Sequence, residues 1–311
     1  MDSLLVGLAV ALSFVFGWNN SSLLIGNVRG SGTLAFRTIL ILAIVGLVLG
    51  SILEGPKMAG SLVGSLAPSA TTLTLTVTIS VSLVLTLATT LLDLPVSFSM
   101  VMVGAFIGST LASALALNGF RVSEVVLFWF VAPSATAVLT YAVYGLALKL
   151  TSNLGILQVD SLNKAWSLVS ALAVSYTLGA NNIGMFFGSI GGVSNLQEQT
   201  GVFALLATAA VLGVATLGRS SLGGTVGDRM LALSPQGVFS AFISSSLVVW
   251  VGTQLALPVS ITQCLIGGIL GAAFSRNVTI VNTRLVRETL SLWVIAPMAA
   301  FIFAYLLTRL L

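Results

Sequence analysis

Charged side chains are so sparse along this chain that they act as punctuation. Uncharged stretches of about 16 to 46 residues, bounded by charges, run at 2–29, 37–54, 57–93, 93–121, 124–149, 164–198, 198–219, 229–276 and 288–309, and a helix needs about 20 apolar residues to cross a bilayer. The longest stretch has room for two passes and a break at Leu257-Pro258, because proline cannot continue a helical ladder. The pattern predicts about ten membrane elements and an all-α polytopic fold. Nothing alternates with a period of two residues, which excludes a strand barrel. Residues 3–28 carry no basic leader with a small-residue cleavage site and are expected to stay as a first membrane helix. Residues 71–90 are rich in threonine, and the hydroxyls are expected to bond back to their own helix.

The apolar runs are duplicated. Leu92-Asp93-Leu94-Pro95-Val96-Ser97-Phe98-Ser99 recurs as Leu255-Ala256-Leu257-Pro258-Val259-Ser260-Ile261-Thr262, with Gly104 and Gly108 matched by Gly267 and Gly271. Gly17-Trp18-Asn19-Asn20 recurs as Gly179-Ala180-Asn181-Asn182, and Phe128-Trp129-Phe130-Val131-Ala132-Pro133 as Leu292-Trp293-Val294-Ile295-Ala296-Pro297. All three pairs keep one order and an offset of about 163 residues. A repeat of about five elements is odd-numbered, so its second copy enters the membrane in the opposite sense: an inverted repeat with broken or re-entrant helices. The expected division is residues 1–150 for the first copy, 151–164 for a polar connector and 165–311 for the second copy.

Composition narrows the chemistry. The chain is 57% apolar and 6% charged, against about 25% charged in a soluble domain, so it reads as an integral membrane protein. It has no histidine and one cysteine, Cys264. That removes disulfide frameworks, Cys/His zinc sites, Ser/His pairs and a histidine proton relay. With no Gly-x-Ser-x-Gly elbow and no metal-spaced carboxylates, neither an enzyme nor a resident metal or cofactor is expected. The net charge of +4 comes from basic residues spread along the whole chain, which suits membrane anchoring and not nucleic-acid binding. Placing the N-terminus outside puts Arg29, Arg37, Lys149, Lys164, Arg219, Arg229, Arg276, Arg284 and Arg287 inside, and leaves Lys57, Arg121 and Arg309 outside. A multi-pass protein of the cell membrane with both termini outside is the expectation.

Inverted repeats bind near the bilayer midplane, where half-helix N-termini point at an anionic ligand. Asn19, Asn20, Asn181 and Asn182 sit inside apolar runs, and amides there need protein, water or a ligand as partner; interhelical bonding is the plain alternative. Pro95 and Pro258 suit a first helical turn. Ser97, Ser99, Ser260 and Thr262 would then set hydroxyls beside unpaired backbone N–H groups, an uncharged cradle for a small tetrahedral oxyanion; ordinary capping is the alternative. The paired glycines are expected to be small-residue packing faces. Among carboxylates, Asp93, Asp228 and Glu54 are expected to be solvated at element boundaries.

These paired motifs resemble the PiT family of inorganic phosphate transporters, including its sulfate permease relatives. That family shows Gly-Ala-Asn-Asp in each half, Pro-Val-Ser-Thr-Thr-His further on, and an Arg-rich entry to a final Trp…Pro helix. Gly179-Ala180-Asn181-Asn182 nearly repeats the first motif and Gly17-Trp18-Asn19-Asn20 follows it loosely. Pro95-Val96-Ser97-Phe98-Ser99-Met100 and Pro258-Val259-Ser260-Ile261-Thr262-Gln263 follow the second. Val286-Arg287-Glu288 with Trp293 and Pro297 looks like the third, and Thr225-Val226-Gly227 resembles a stretch before the second Pro-Val-Ser. The resemblance implies symport of phosphate, usually with Na+ or H+, and a homodimer is plausible for such folds. Asn20 and Asn182 replace the family's Asp, while Met100 and Gln263 replace its frequent His. An amide offers an oxygen to a cation but no charge, so Asn20, Asn182 and Gln263 are the candidate cation ligands in place of the family's charged residues. Sulfate, which carries no proton, competes with phosphate, and a passive anion channel remains a further alternative.

Overall fold

The computed structural model describes residues 3–21, 34–92, 94, 96–188, 190, 196–217, 233–275 and 283–311. All regular structure among the described residues is helical. In chain order the elements are α1 (Ser3–Ser21), α2 (Phe36–Leu53), a short α3 (Gly55–Ala59), α4 (Thr72–Leu91), α5 (Phe98–Ala112), α6 (Gly119–Thr151), α7 (Ile156–Leu178), a π-helical turn (Gly179–Ile183), α8 (Gly184–Gly188), α9 (Leu196–Leu217), α10 (Pro235–Gln254), α11 (Ile261–Ser275) and α12 (Thr283–Leu310). Segments of α1, α2, α4, α6, α10 and α12 are each long and apolar enough to cross a membrane. Helices α5 and α11 have only 15 residues each, or about 22 Å at 1.5 Å per residue, so each stops within a bilayer.

Small residues decide which helices touch. A methyl on Gly104 would collide with the Pro297 carbonyl and one on Gly108 with that of Phe301, which seats α5 on α12. Gly267 and Gly271 meet the carbonyls of Pro133 and Ala137 in the same way and seat α11 on α6. Gly17 against Ala210 and Gly213 against Phe14 join α1 to α9; Gly179 against Leu47 and Gly50 against Tyr176 join α2 to α7 and its π turn. Backbones pack this closely only where no Cβ intervenes. Each of the four pairs joins an element before Gly155 to one after it, so the halves of the chain are interlocked, and the pairs match one another at the offset of about 163 residues.

Several hydroxyls of the bundle bond back to their own helices. Thr76, Thr78, Thr89 and Thr90 donate to carbonyls four residues back in α4, as the threonine-rich run predicts. Helix α10 ends in a Schellman turn, with Leu257 N–H bonded to Gly252 O at 2.9 Å and Ala256 N–H to Thr253 O at 3.1 Å. Its left-handed residue is Ala256, φ 54°, where glycine is usual. The expected connector at 151–164 is largely helical: α6 runs to Thr151, and α7 starts at Ile156 after Gln158 Oε1 accepts the Gly155 N–H at 3.0 Å. At the start of α12, Glu288 lies 2.8 Å from exposed Arg284 and raises the pKa of its guanidinium.

Candidate functional site

Helices α5 and α11 begin against each other inside the bundle. Ser97 caps α5, its Oγ accepting the Met100 N–H at 3.4 Å, and Ser260 Oγ accepts the Gln263 N–H at 3.1 Å in α11. Both serines are thus N-caps, and each keeps one hydroxyl proton to donate. Pro258 does not lie in a first helical turn as expected; it precedes the cap Ser260 by two residues, and the backbone groups on either side of it, Leu257 O and Val259 N–H, bond to Asn181 instead of entering a helical ladder. Ser99 bridges the halves: its Oγ lies 2.8 Å from Val259 O and 3.1 Å from Asn182 Oδ1. Trp129 Nε1 donates to Pro258 O at 3.2 Å from α6.

The Asn pair of the second half sits in the π turn, and both residues are at most 1% exposed. A π turn inserts one residue into the helical ladder and is frequent at functional sites. Asn181 uses both ends of its amide. Nδ2 donates to Thr253 Oγ1 at 3.1 Å and Leu257 O at 3.2 Å, with Met58 Sδ at 3.6 Å, while Oδ1 accepts the Val259 N–H at 3.2 Å. Asn182 faces Ser99, and its Nδ2 is buried with no partner. Phe98, between Ser97 and Ser99, packs edge to face with Phe16 and Phe186, with centroids 4.8–5.2 Å apart, and sets buried apolar surface next to these polar groups.

The first half is arranged differently. Asn19 donates to Thr90 Oγ1 at 2.8 Å, and Asn20 donates to Phe16 O, four residues back in α1, at 2.9 Å. Val96 N–H bonds to Leu94 O at 2.8 Å instead of to an asparagine. Thr262 and Gln263 are buried in the first turn of α11, 8% and 2% exposed. The structure thus brings Ser99, Asn181 and Asn182 together at the start of α11, whereas the bonds of Asn19 and Asn20 stay within their own half. Asp93, Pro95, Asp228 and the 225–227 stretch lie outside the described residues.

Two residues that the motifs did not single out bond to the candidate asparagines. Thr90 and Thr253 accept from Asn19 and Asn181 and donate onward to Thr86 O and Val249 O. Each stands five residues before the proline of its Pro-Val-Ser element, a spacing visible in the sequence. Glu54 is not a solvated boundary carboxylate. Its side chain is 15% exposed, accepts from Trp250 Nε1 at 3.2 Å and Gln254 Nε2 at 2.7 Å, and pairs with Lys57 at 3.6 Å. Lys57 also donates to Gln254 Oε1 at 2.6 Å, so this cluster ties the end of α2 to the last turn of α10.

The profile of the phosphate transporter family matches residues 16–165 and again residues 156–304. The chain belongs to that family. With six apolar spans among the described residues, this family member is a multi-pass membrane protein. A Methanocaldococcus jannaschii protein that carries the name phosphate permease is 29% identical over 303 residues, 96% of this chain and 94% of that one. A Bacillus subtilis protein named a low-affinity inorganic phosphate transporter is 26% identical, over 67% of this chain and 65% of its own length. A solved structure of a sodium-dependent phosphate transporter has the same fold, with a TM-score of 0.83 at 16% identity over 99% of this chain and 98% of that one.

Proposed function

We propose that this chain is a secondary transporter of inorganic phosphate, built from two inverted repeats and working by alternating access. The observation that carries the reading is the meeting of α5 and α11 at Ser99 and Val259 beside the unpartnered Nδ2 of buried Asn182. A buried donor without an acceptor costs about 1–3 kcal/mol, and an oxyanion lodged against it supplies the acceptor. Hydroxyl protons of Ser97, Ser260 and Thr262 and the two helix N-termini add donors without formal charge, and Ser99, whose single proton here goes to Val259 O or Asn182 Oδ1, adds its own once that contact opens. The matching glycine contacts at the common offset support the inverted repeat. Rocking one set of helices against the other about the site is the motion such repeats allow. The protein is placed in the cell membrane with both termini outside, where nine of its twelve basic residues face inward.

Sulfate is the second reading, and Asn20 and Asn182 favour it. They remove two negative charges from beside a dianion and offer no carboxylate to a cotransported Na+ or H+. The test is uptake of radiolabelled phosphate and of sulfate into proteoliposomes, with and without imposed Na+ and pH gradients, with Asn20→Asp and Asn182→Asp alongside. Saturable phosphate uptake, accelerated by phosphate on the far side, is expected of a phosphate carrier. Sulfate uptake indifferent to Na+ gives the second reading, and flux without saturation or trans-acceleration makes the protein a channel.

A further inference from the structure

The two halves carry the same hydrogen-bonding groups but use them differently. In the second half Asn181 clamps the backbone of its Pro-Val-Ser element at Leu257 O and Val259 N–H, held in place by Thr253. In the first half Thr90 holds Asn19 in the matching way, yet the matching groups, Leu94 O and Val96 N–H, bond to each other. Asn182 reaches across to Ser99, whereas Asn20, its counterpart, turns back to Phe16 O, and the π turn at Gly179–Ile183 has no counterpart in α1, which stays α-helical to Ser21. The orientations of Asn19 and Asn181 are fixed by their partners, since a peptide N–H only donates, a carbonyl only accepts, and both threonines give their own proton to a carbonyl.

We propose that Thr90 and Thr253 are positioning residues that hold Asn19 and Asn181 ready to clamp their Pro-Val-Ser elements in turn, one half clamped and the other released in each state of the cycle. The proposal rests on the transport reading above. In the state described here the second half is clamped. In the other state Asn19 takes Leu94 O and Val96 N–H, Asn20 takes the Thr262 hydroxyl, and Asn181 lets go. The cluster at Glu54 fits this assignment. Gln254, next to Thr253, is tied to Glu54 and Lys57, which locks the last turn of α10; the matching residue in α4 is Leu91, exposed and apolar.

The test reads hydrogen exchange of the Val259 amide in nanodiscs, without substrate, alongside phosphate and sulfate uptake. Exchange at Val259 requires release of the second clamp. Thr253→Val is expected to speed it about ten-fold and Thr90→Val to slow it about ten-fold, because an asparagine that its threonine no longer positions clamps about ten-fold less readily in its own half. Each single variant should lower uptake. The double variant should return both exchange and uptake toward wild type, and Thr→Ser at either position should behave as wild type and exclude misfolding as the cause. A purely structural role for the threonines predicts exchange speeded by both single variants and more by the double, which overturns the proposal. The opposed shifts in a protein that moves neither anion would uphold the hand-over and remove the transport reading; uptake with shifts in one direction would do the reverse.

Discussion

Neighbouring asparagines in the π turn should respond unequally to the same substitution. Asn181→Asp keeps an acceptor 3.2 Å from Val259 N–H but puts a second lone-paired oxygen 3.2 Å from Leu257 O and removes the donor to Thr253 Oγ1. Two donated bonds are lost between groups shut away from water, at about 1–3 kcal/mol each. The sum is about 2–6 kcal/mol before the cost of burying a charge against a carbonyl. Asn182→Asp loses nothing of this kind, because Nδ2 has no partner, and the Ser99 hydroxyl 3.1 Å from Oδ1 becomes a stronger donor toward a carboxylate. Its cost is desolvation, which a bound cation offsets. Thermal unfolding of detergent-purified protein in NaCl and in choline chloride measures both. Asn181→Asp should melt far below wild type in either salt; Asn182→Asp should fall less in choline chloride and be raised toward wild type by Na+. Equal destabilisation of the two, or a stable Asn181→Asp, would refute the placement of the amides and the clamp built on it.

Other substitutions probe separate parts of the argument. Ser97→Ala and Ser260→Ala should each cost about 1 kcal/mol as lost N-caps and also cut anion uptake strongly; normal uptake at normal expression would take both serines out of the site. Ala256→Gly relieves a left-handed alanine and should stabilise the protein by about 1 kcal/mol, seen as a raised melting temperature; no rise would mean the turn carries no strain. Gly104→Leu should prevent α5 from seating on α12 and abolish folded protein on size-exclusion chromatography, whereas Gly145→Ala, with open space around it in α6, should be neutral or stabilising by up to about 1 kcal/mol.

Membrane character and helical class were legible because a bilayer restricts both composition and backbone: 6% charged residues and long uncharged runs leave few alternatives. The Asn and Pro-Val-Ser motifs were legible because each occurs twice. Residues recognised by partner alone were harder to find. Thr90 lies in a run of hydroxyl residues, Thr253 stands among mostly apolar ones, both bond to their own helices, and only their relation to the asparagines sets them apart. Glu54 precedes Gly55-Pro56, which reads as a solvated break; Trp250 and Gln254, which cover it, come from nearly 200 residues away. The π turn has no signal in the duplicated motif: Gly17 meets the Ala210 carbonyl just as Gly179 meets that of Leu47, yet α1 stays α-helical.

The difference between the halves could not be read from the duplicated motifs, which taken alone predict equal halves. It can be traced to places where the duplication lapses. Glu54 matches Leu217 and Gln254 matches Leu91 at the common offset, so the polar tie that ends at Gln254 has no counterpart in sequence at the opposite end. Three side chains join around Glu54, two of them within one turn of Thr253. A bias of about 1.4 kcal/mol from that tie populates one arrangement ten-fold over the other, a modest amount for a network of several hydrogen bonds and one ion pair that is partly shielded from water. The residues that break the repeat thus account for which half is clamped, and those that keep it account for why the other half has the means to be.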